Sequence, residues 1–355
     1  MALRIGVVIP EEKNCGIYTY SHFLLSELEK IKELEVESVS NTCSSDNGKY
    51  ASLAKHLGKS FDLVHIQYEF GRFGKFFVSG TSTPAFYNAF PSHTKVVTTL
   101  HELPKSKNPL VRFMHERFLS TILSRSNVII VHTQEMARLK EKYPSHAHKI
   151  HVIPHGMVTP NVLKEKTNLP PSLKGKKIIG FFGFVVPHKQ VEMLIEALSV
   201  LPSEYVLVVA GGTQGHEDYV SSLKQNAESL GVSSRIHWTG FVPDSKIAET
   251  LSWMDVVVFP YRQVTESGTL HIALGHHRIV LTSTLEAFKE IKEAYGCLRT
   301  FSHREDMISL IQSLVMDMKI RKAMVASMKR FTRDRNWKTV AHQHAELYGW
   351  LMEKK

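Results

Sequence analysis

The sequence predicts an α/β protein of two doubly wound parallel sheets facing a cleft. Three observations carry this. Short apolar segments alternate with amphipathic helical segments, a pattern that puts helices on both faces of a parallel sheet. The alternation restarts after residue 157, beyond a polar, Lys-rich, Pro-containing linker at 158–176. A chain of 355 residues also exceeds what one core ordinarily serves.

The first series has strand candidates at Arg4–Ile9, Leu63–Gln67, Val96–Leu100, Val128–Val131 and Val152–Ile153. Tyr20, Phe23, Leu24 and Leu28 recur at helical spacing after the first strand. The second series runs strand Ile178–Phe182, helix Val191–Leu198, strand Val206–Ala210, helix Val220–Leu230, strand Arg235–Trp238, helix Lys246–Trp253, then strands Val256–Phe259 and Ile279–Thr282. Two Rossmann-like domains are expected, at 1–157 and 174–336. The helical pattern from Trp337 to the end is expected to pack back on the first domain.

Composition is that of a globular protein, at 43% hydrophobic and 22% charged residues. No apolar run is long enough to cross a membrane. Met1–Glu12 reads as a strand followed by acids rather than a signal peptide. Cys15, Cys43 and Cys297 are too far apart for a disulfide framework or a metal pattern, which favours a reducing, cytosolic setting. The net charge of +10 is spread evenly, with +5 on residues 1–155 and +5 on the rest. With no basic arm, nucleic acid is excluded as a partner. The basic surface is compatible with peripheral contact with an anionic membrane.

The chemistry concentrates where strands run into loops. Val256–Phe259 ends at Pro260, and Glu266-Ser267-Gly268-Thr269 then opens a helix. Unpaired amides and the helix dipole make such a junction an anion site. Gly183 follows the first strand of the second domain, and Lys189 stands just before a helix, where it can neutralise a diphosphate leaving group or be a solvated lysine. Asn14-Cys15-Gly16-Ile17 forms a similar turn, where Gly16 can take positive φ or simply make a tight turn. Thr99-Leu100-His101-Glu102 ends a strand, so His101 can meet a sugar hydroxyl or can be a capping histidine. Tyr68, Glu69, Phe70 and Gly71 suit a carbohydrate surface or a loop packed on its own aromatics. His146, His148, His151 and His155 lack supporting Cys or carboxylate partners and are not read as a metal site. His276-His277 reads as an exposed loop. The chain has no Asp-X-Asp pair, no Walker loop, no Gly-X-Ser-X-Gly and no clean Gly-X-Gly-X-X-Gly.

Taken in order, these segments resemble the family-four retaining nucleotide-sugar glycosyltransferases of the GT-B fold. Further anchors are Ile153-Pro154-His155-Gly156, Ala210-Gly211-Gly212, Gly240-Phe241-Val242-Pro243-Asp244 and Asp255-Val256-Val257-Val258-Phe259-Pro260-Tyr261-Arg262. The resemblance spans almost the whole chain. It implies metal-free transfer of a sugar from a nucleoside-diphosphate sugar to a glycan or glycolipid acceptor, with no cofactor. Gly183, Lys189 and the amides of Ser267, Gly268 and Thr269 would hold the diphosphate, approached by Gly16. Gly212, Phe241 and Val242 would border the base. His101 would touch the sugar, Lys189 and Glu266 would join it in catalysis, and Tyr68–Gly71 would receive the acceptor.

The chain departs from the family's paired glutamates, eight apart. Val264 and Ile272 occupy their positions, and Glu266 is shifted by two. Phe184 stands where an arginine often follows Gly183. The pattern instead resembles a subgroup with a Ser-Gly donor loop. A non-catalytic nucleotide-sugar-binding subunit and a nucleotide-sugar 2-epimerase on the same fold are the alternative readings.

Overall fold

The computed structural model describes residues 2–354 except 12–14, 75–77, 105, 158–161, 164, 265 and 266. The chain divides into unit 1, Met1–Gly156 with Arg335–Lys355, and unit 2, Met157–Asp334. Each holds one six-stranded, all-parallel sheet.

In unit 1 the strands are β1 (Leu3–Pro10), β2 (Leu34–Asn41), β3 (Leu63–Tyr68), β4 (Lys95–Leu100), β5 (Val128–Val131) and β6 (Ile150–Val152), ordered β2-β1-β3-β4-β5-β6. Strand β2 was not expected. It is an edge strand, half exposed, and its Leu-Glu-Val-Glu-Ser-Val run lacks the continuous apolar signature of the buried strands. Alternation sorts the central strands onto two cores. Leu63 and Val97 face a core with Tyr20, Leu24 and the C-terminal helix Trp337–Glu353. Val64, Ile66, Tyr68 and Leu100 face the other, under Phe73, Phe86 and Ile122. The C-terminal helix therefore covers the sheet of unit 1 beside the helix Gly16–Leu28.

In unit 2 the strands are β7 (Lys177–Phe182), β8 (Tyr205–Ala210), β9 (Ile236–Gly240), β10 (Val256–Phe259), β11 (Val280–Ser283) and β12 (Arg299–Phe301), ordered β12-β11-β10-β7-β8-β9. Strand β12 was also missed. It is a three-residue edge strand, too short for a periodic signal. The chain leaves β7 toward β8 and β9 on one side, then returns to β10, β11 and β12 on the other. That reversal puts a topological switch point between β7 and β10, where the loops beyond the carboxyl ends diverge and ligands of such sheets bind. Among the described residues, no helix is long and apolar enough to cross a membrane.

Candidate functional site

The switch point of unit 2 gathers three loops. After β7 the chain turns at Gly183, whose φ of +126° is a region other residues rarely adopt. Beside it, a Cβ on Gly211 would lie 1.9 Å from the Gly183 carbonyl oxygen, so the loops after β7 and β8 meet backbone to backbone. The Arg262 amide donates to the His188 carbonyl at 2.9 Å, joining the loops after β7 and β10. Ser283, at the end of β11, donates to the Tyr261 carbonyl at 2.5 Å.

Lys189 closes a short turn, Pro187–Lys189, and its side chain reaches back over Gly183. Its ammonium lies 5.2 Å from the centroid of the buried Tyr261 ring and 6.0 Å from that of Phe184. No carboxylate pairs with it among the described residues. Burial lowers its pKa to about 8.

The helix Gly268–Gly275 begins at the same place. Its N-cap is Ser267, whose hydroxyl accepts from the Leu270 amide at 3.2 Å. Thr269 Oγ1 lies 3.1 Å from Ser267 Oγ and 3.2 Å from Tyr261 Oη. Gly268 is exposed, and a Cβ there would meet nothing within 4 Å. A half-buried lysine therefore stands over a helix N-terminus whose first turn is open, and both favour an anion.

Farther along the edge, Gly212 is flanked by two exposed phenylalanines. A Cβ on Gly212 would stand 3.5 Å from Phe241 Cβ and 3.9 Å from Phe184 Cδ1. Val242 is half buried and packs against the core. Val264 and Ile272 are partly buried apolar side chains packed on the same core, so neither offers a carboxylate to a ribose. Glu266 lies outside the described residues. Tyr261 was given no role from sequence. Its only signal was an aromatic just after the proline that ends β10, while its place under Lys189 depends on three loops meeting.

In unit 1, His101 follows β4 and is half buried. Its Nε2 lies 2.8 Å from Gln67 Oε1. The Gln67 amide nitrogen lies 3.3 Å from His65 Nε2, and His65 Nδ1 lies 2.7 Å from Tyr348 Oη on the C-terminal helix. The Thr99 hydroxyl, 2.8 Å from His65 Nε2, can donate or accept, but an amide nitrogen only donates, so with Gln67 in this orientation His65 Nε2 accepts and Nδ1–H donates to Tyr348. Gln67 Oε1 only accepts, so His101 carries its proton on Nε2 and keeps Nδ1 as an acceptor. Burial, then the neighbouring His132, His155 and His65, push the His101 pKa well below the usual value. His101 is a neutral hydrogen-bonding group, not a cation. Gln67, read only as part of a motif, is thus the residue that orients it.

Two expectations in unit 1 need correction. The Tyr68 and Phe70 side chains are buried and offer no acceptor surface. Tyr68 Oη bonds to Thr83 at 2.7 Å, and the Phe70 ring stacks on His115 at 4.2 Å. Strand alternation turns Tyr68 into the core opposite His65 and Gln67. The exposed part of that segment is Gly71, with a half-buried Glu69 bridged to Arg72 at 3.2 Å. Gly16 opens its helix without positive φ, and a Cβ there would meet nothing within 4 Å. In unit 2, His276 is buried rather than exposed, because it caps the helix Gly268–Gly275 against the core.

Comparison with known proteins matches residues 176–317 to the family described as "Glycosyl transferases group 1" and residues 43–159 to "Glycosyltransferase Family 4". A D-inositol 3-phosphate glycosyltransferase of Xylanimonas cellulosilytica is 29% identical over 224 residues, 56% of this chain and 50% of the relative. A GDP-mannose:glycolipid 4-beta-D-mannosyltransferase of Xanthomonas campestris pv. campestris is 24% identical over 258 residues, 72% of this chain and 68% of the relative. The chain spans about half the length of the first curated relatives it matches. Among solved structures, Anabaena Alr3699/HepE in complex with UDP superposes with a TM-score of 0.73 at 15% identity, covering 98% of this chain and 100% of that one. Sucrose-phosphate synthase from Thermosynechococcus elongatus gives 0.74 at 16% identity, covering 99% and 100%. The two family matches fall one on each unit, the solved structures share the fold, and the chain belongs to the family-four glycosyltransferases of the GT-B fold.

Proposed function

We propose that the protein transfers a hexose from a nucleoside-diphosphate sugar to a hydroxyl of a glycan or glycolipid, with retention at the anomeric carbon and without a metal ion. The observation that carries the reading is Lys189, half buried without a carboxylate partner among the described residues, over the open first turn of the helix Gly268–Gly275. An ammonium and free amides can hold a diphosphate and take up the charge that grows on it as the glycosidic bond breaks. In the proposed step the acceptor oxygen bonds to the anomeric carbon on the face the phosphate leaves. The departing phosphate oxygen takes the hydroxyl proton, so the products are the glycosylated acceptor and a nucleoside diphosphate. Phe241 and Phe184 flank Gly212 as a stacking place for the base, and His101 Nδ1 accepts from a sugar hydroxyl. UDP bound to one structural neighbour and the glycolipid named for one relative support these substrate classes.

The test is nucleoside diphosphate release from a panel of UDP- and GDP-sugars, with and without a chelator. Turnover with at least one donor, undiminished by the chelator, is expected. Silence with every donor, in the presence of glycan and glycolipid acceptors, would remove the reading. Binding without turnover would favour the non-catalytic subunit.

A further inference from the structure

We propose that unit 2 carries a second anion site, for a phosphoryl-bearing ligand, at the opposite edge of its sheet from Lys189. A cavity of about 580 Å³ opens there, lined by Arg278, Arg321, Lys322, Lys329 and His277, with no acidic residue among its described lining. Met254 and Ile279, also in its wall, lie just before β10 and β11. The cavity therefore sits at the amino ends of the parallel strands, while Lys189 sits beyond their carboxyl ends.

The two arginines are half buried and rigidly held. Arg278 donates from Nε to the His276 carbonyl at 2.9 Å and from Nη2 to the Leu163 carbonyl at 2.5 Å. Arg321 donates from Nη1 to the Asp255 and Leu314 carbonyls at 2.8 and 3.0 Å. These bonds fix one edge of each guanidinium. Arg278 Nη1, Arg321 Nε and Arg321 Nη2 have no protein acceptor among the described residues. Asp255, the carboxylate whose charge acts on both arginines, is committed elsewhere: it pairs with Lys166 at 2.9 Å and accepts from the Ile178 amide at 2.8 Å.

Backbone tethering explains the fixed edges but not the convergence of further cations. Lys322 and Lys329 are exposed and stand two turns apart on one face of the helix Met318–Asp334, and both line the same cavity. None of these four cations forms an ion pair among the described residues. Burial and the charge of Arg321 both lower the pKa of Arg278, while Asp255 opposes them. Immobilised guanidinium forks with free N–H groups, ringed by mobile ammonium groups, match phosphate oxygens. The apolar wall of Met254, Met318 and Val325 leaves room for an uncharged moiety beside the phosphate. A lipid headgroup and a soluble phosphate ester share this chemistry.

The experiment uses the full chain carrying Lys189→Ala, which weakens the site beyond the carboxyl ends. Inorganic pyrophosphate is titrated by calorimetry, and co-sedimentation is measured with phosphatidylcholine vesicles with or without phosphatidic acid. Lys322→Glu with Lys329→Glu, both exposed, reverses charge without touching the core. Lys49→Glu with Lys55→Glu on unit 1 makes the same net change elsewhere. The cavity pair is expected to weaken binding at least about tenfold, from the loss of charge-assisted contacts, and the unit 1 pair to leave it intact. Pyrophosphate binding without vesicle retention assigns a soluble ligand. Retention only by phosphatidic acid vesicles assigns a lipid headgroup. Equal losses in both charge reversals, or binding of neither probe, would overturn the proposal.

Discussion

Gln67 Oε1 accepts from His101 Nε2 at 2.8 Å, and this contact determines which nitrogen of His101 stays basic. It is the last link of a chain that starts at Tyr348 and passes through His65. Gln67 sits between the two histidines and sets the tautomer of both, donating to His65 Nε2 and accepting from His101 Nε2, while Tyr348 on the C-terminal helix accepts from the far side of His65. Gln67→Ala should lower turnover on the order of tenfold by releasing the ring, as positioning losses do, and His101→Ala should cost more. The double variant should be no worse than His101→Ala alone, because Gln67 acts through the histidine. Additive losses would separate the two residues.

Lys189 sets stability against binding. Its pKa of about 8 lies below the ordinary lysine value, so between those two limits the unfolded chain holds a proton that the folded chain does not. Stability therefore rises as pH climbs through that window, and below pH 8 the folded protein carries a desolvated ammonium in full. Lys189→Met should raise unfolding free energy at neutral pH by about 1–3 kcal/mol while weakening nucleotide-sugar binding at least about tenfold. A misfolded variant would lose both, so the opposite signs are the readout. For a sugar diphosphate that does not itself titrate, wild-type affinity should be flat below pH 8 and fall by up to about tenfold per unit above it. A flat profile through pH 9 would take Lys189 off the diphosphate.

How much of this was legible follows from where the residues sit. Val128–Val131 and Val256–Phe259 are central strands buried on both faces, and their unbroken apolar runs announce themselves. Leu34–Asn41 and Arg299–Phe301 are edges, one half exposed and one very short, so no run marks them. Lys189 was readable because its distance from a strand end fixes its place. The Gln67–His101 contact was not, because it needs the β3–β4 register that sets Gln67 opposite Thr99. The burial of Tyr68 was in principle available, since His65, Gln67 and Tyr68 cannot share a face.

Phe241 is the most exposed of the large apolar side chains among the described residues, at 69%, and it stands against Gly212. Removing an exposed ring costs the fold little, so any effect on binding reports contact with the ligand. Phe241→Ala should leave the melting temperature unchanged and weaken nucleoside diphosphate binding by about 1–3 kcal/mol, the range for an aromatic stacked on a base. Binding of a sugar 1-phosphate lacking the base should not change. An equal loss for both ligands would mean that Phe241 shapes the phosphate loop instead.

Acid should unfold unit 1 through its buried imidazoles. Burial brings the His344 pKa down to about 4 and holds His65 well below its usual value, with His344 and His132 adding repulsion. The unfolded chain takes up protons from pH 6.5 downward, while His344 in the folded state resists until near pH 4 and His65 also stays neutral below its usual range, so stability is present above pH 6.5 and lost as pH falls. Each such ring contributes a slope of about 1.4 kcal/mol per pH unit in that window. His344 is the cleaner test, because its Nδ1–H donates to the Val340 carbonyl at 2.8 Å and its buried Nε2 has no partner among the described residues. His344→Leu gives up that one bond but no longer has a proton to bind. Denaturant melts from pH 7 to pH 4.5 should show a shallower acid slope for the variant than for the wild type, whatever its stability at pH 7. Parallel slopes would mean that the acid sensitivity lies outside this cluster.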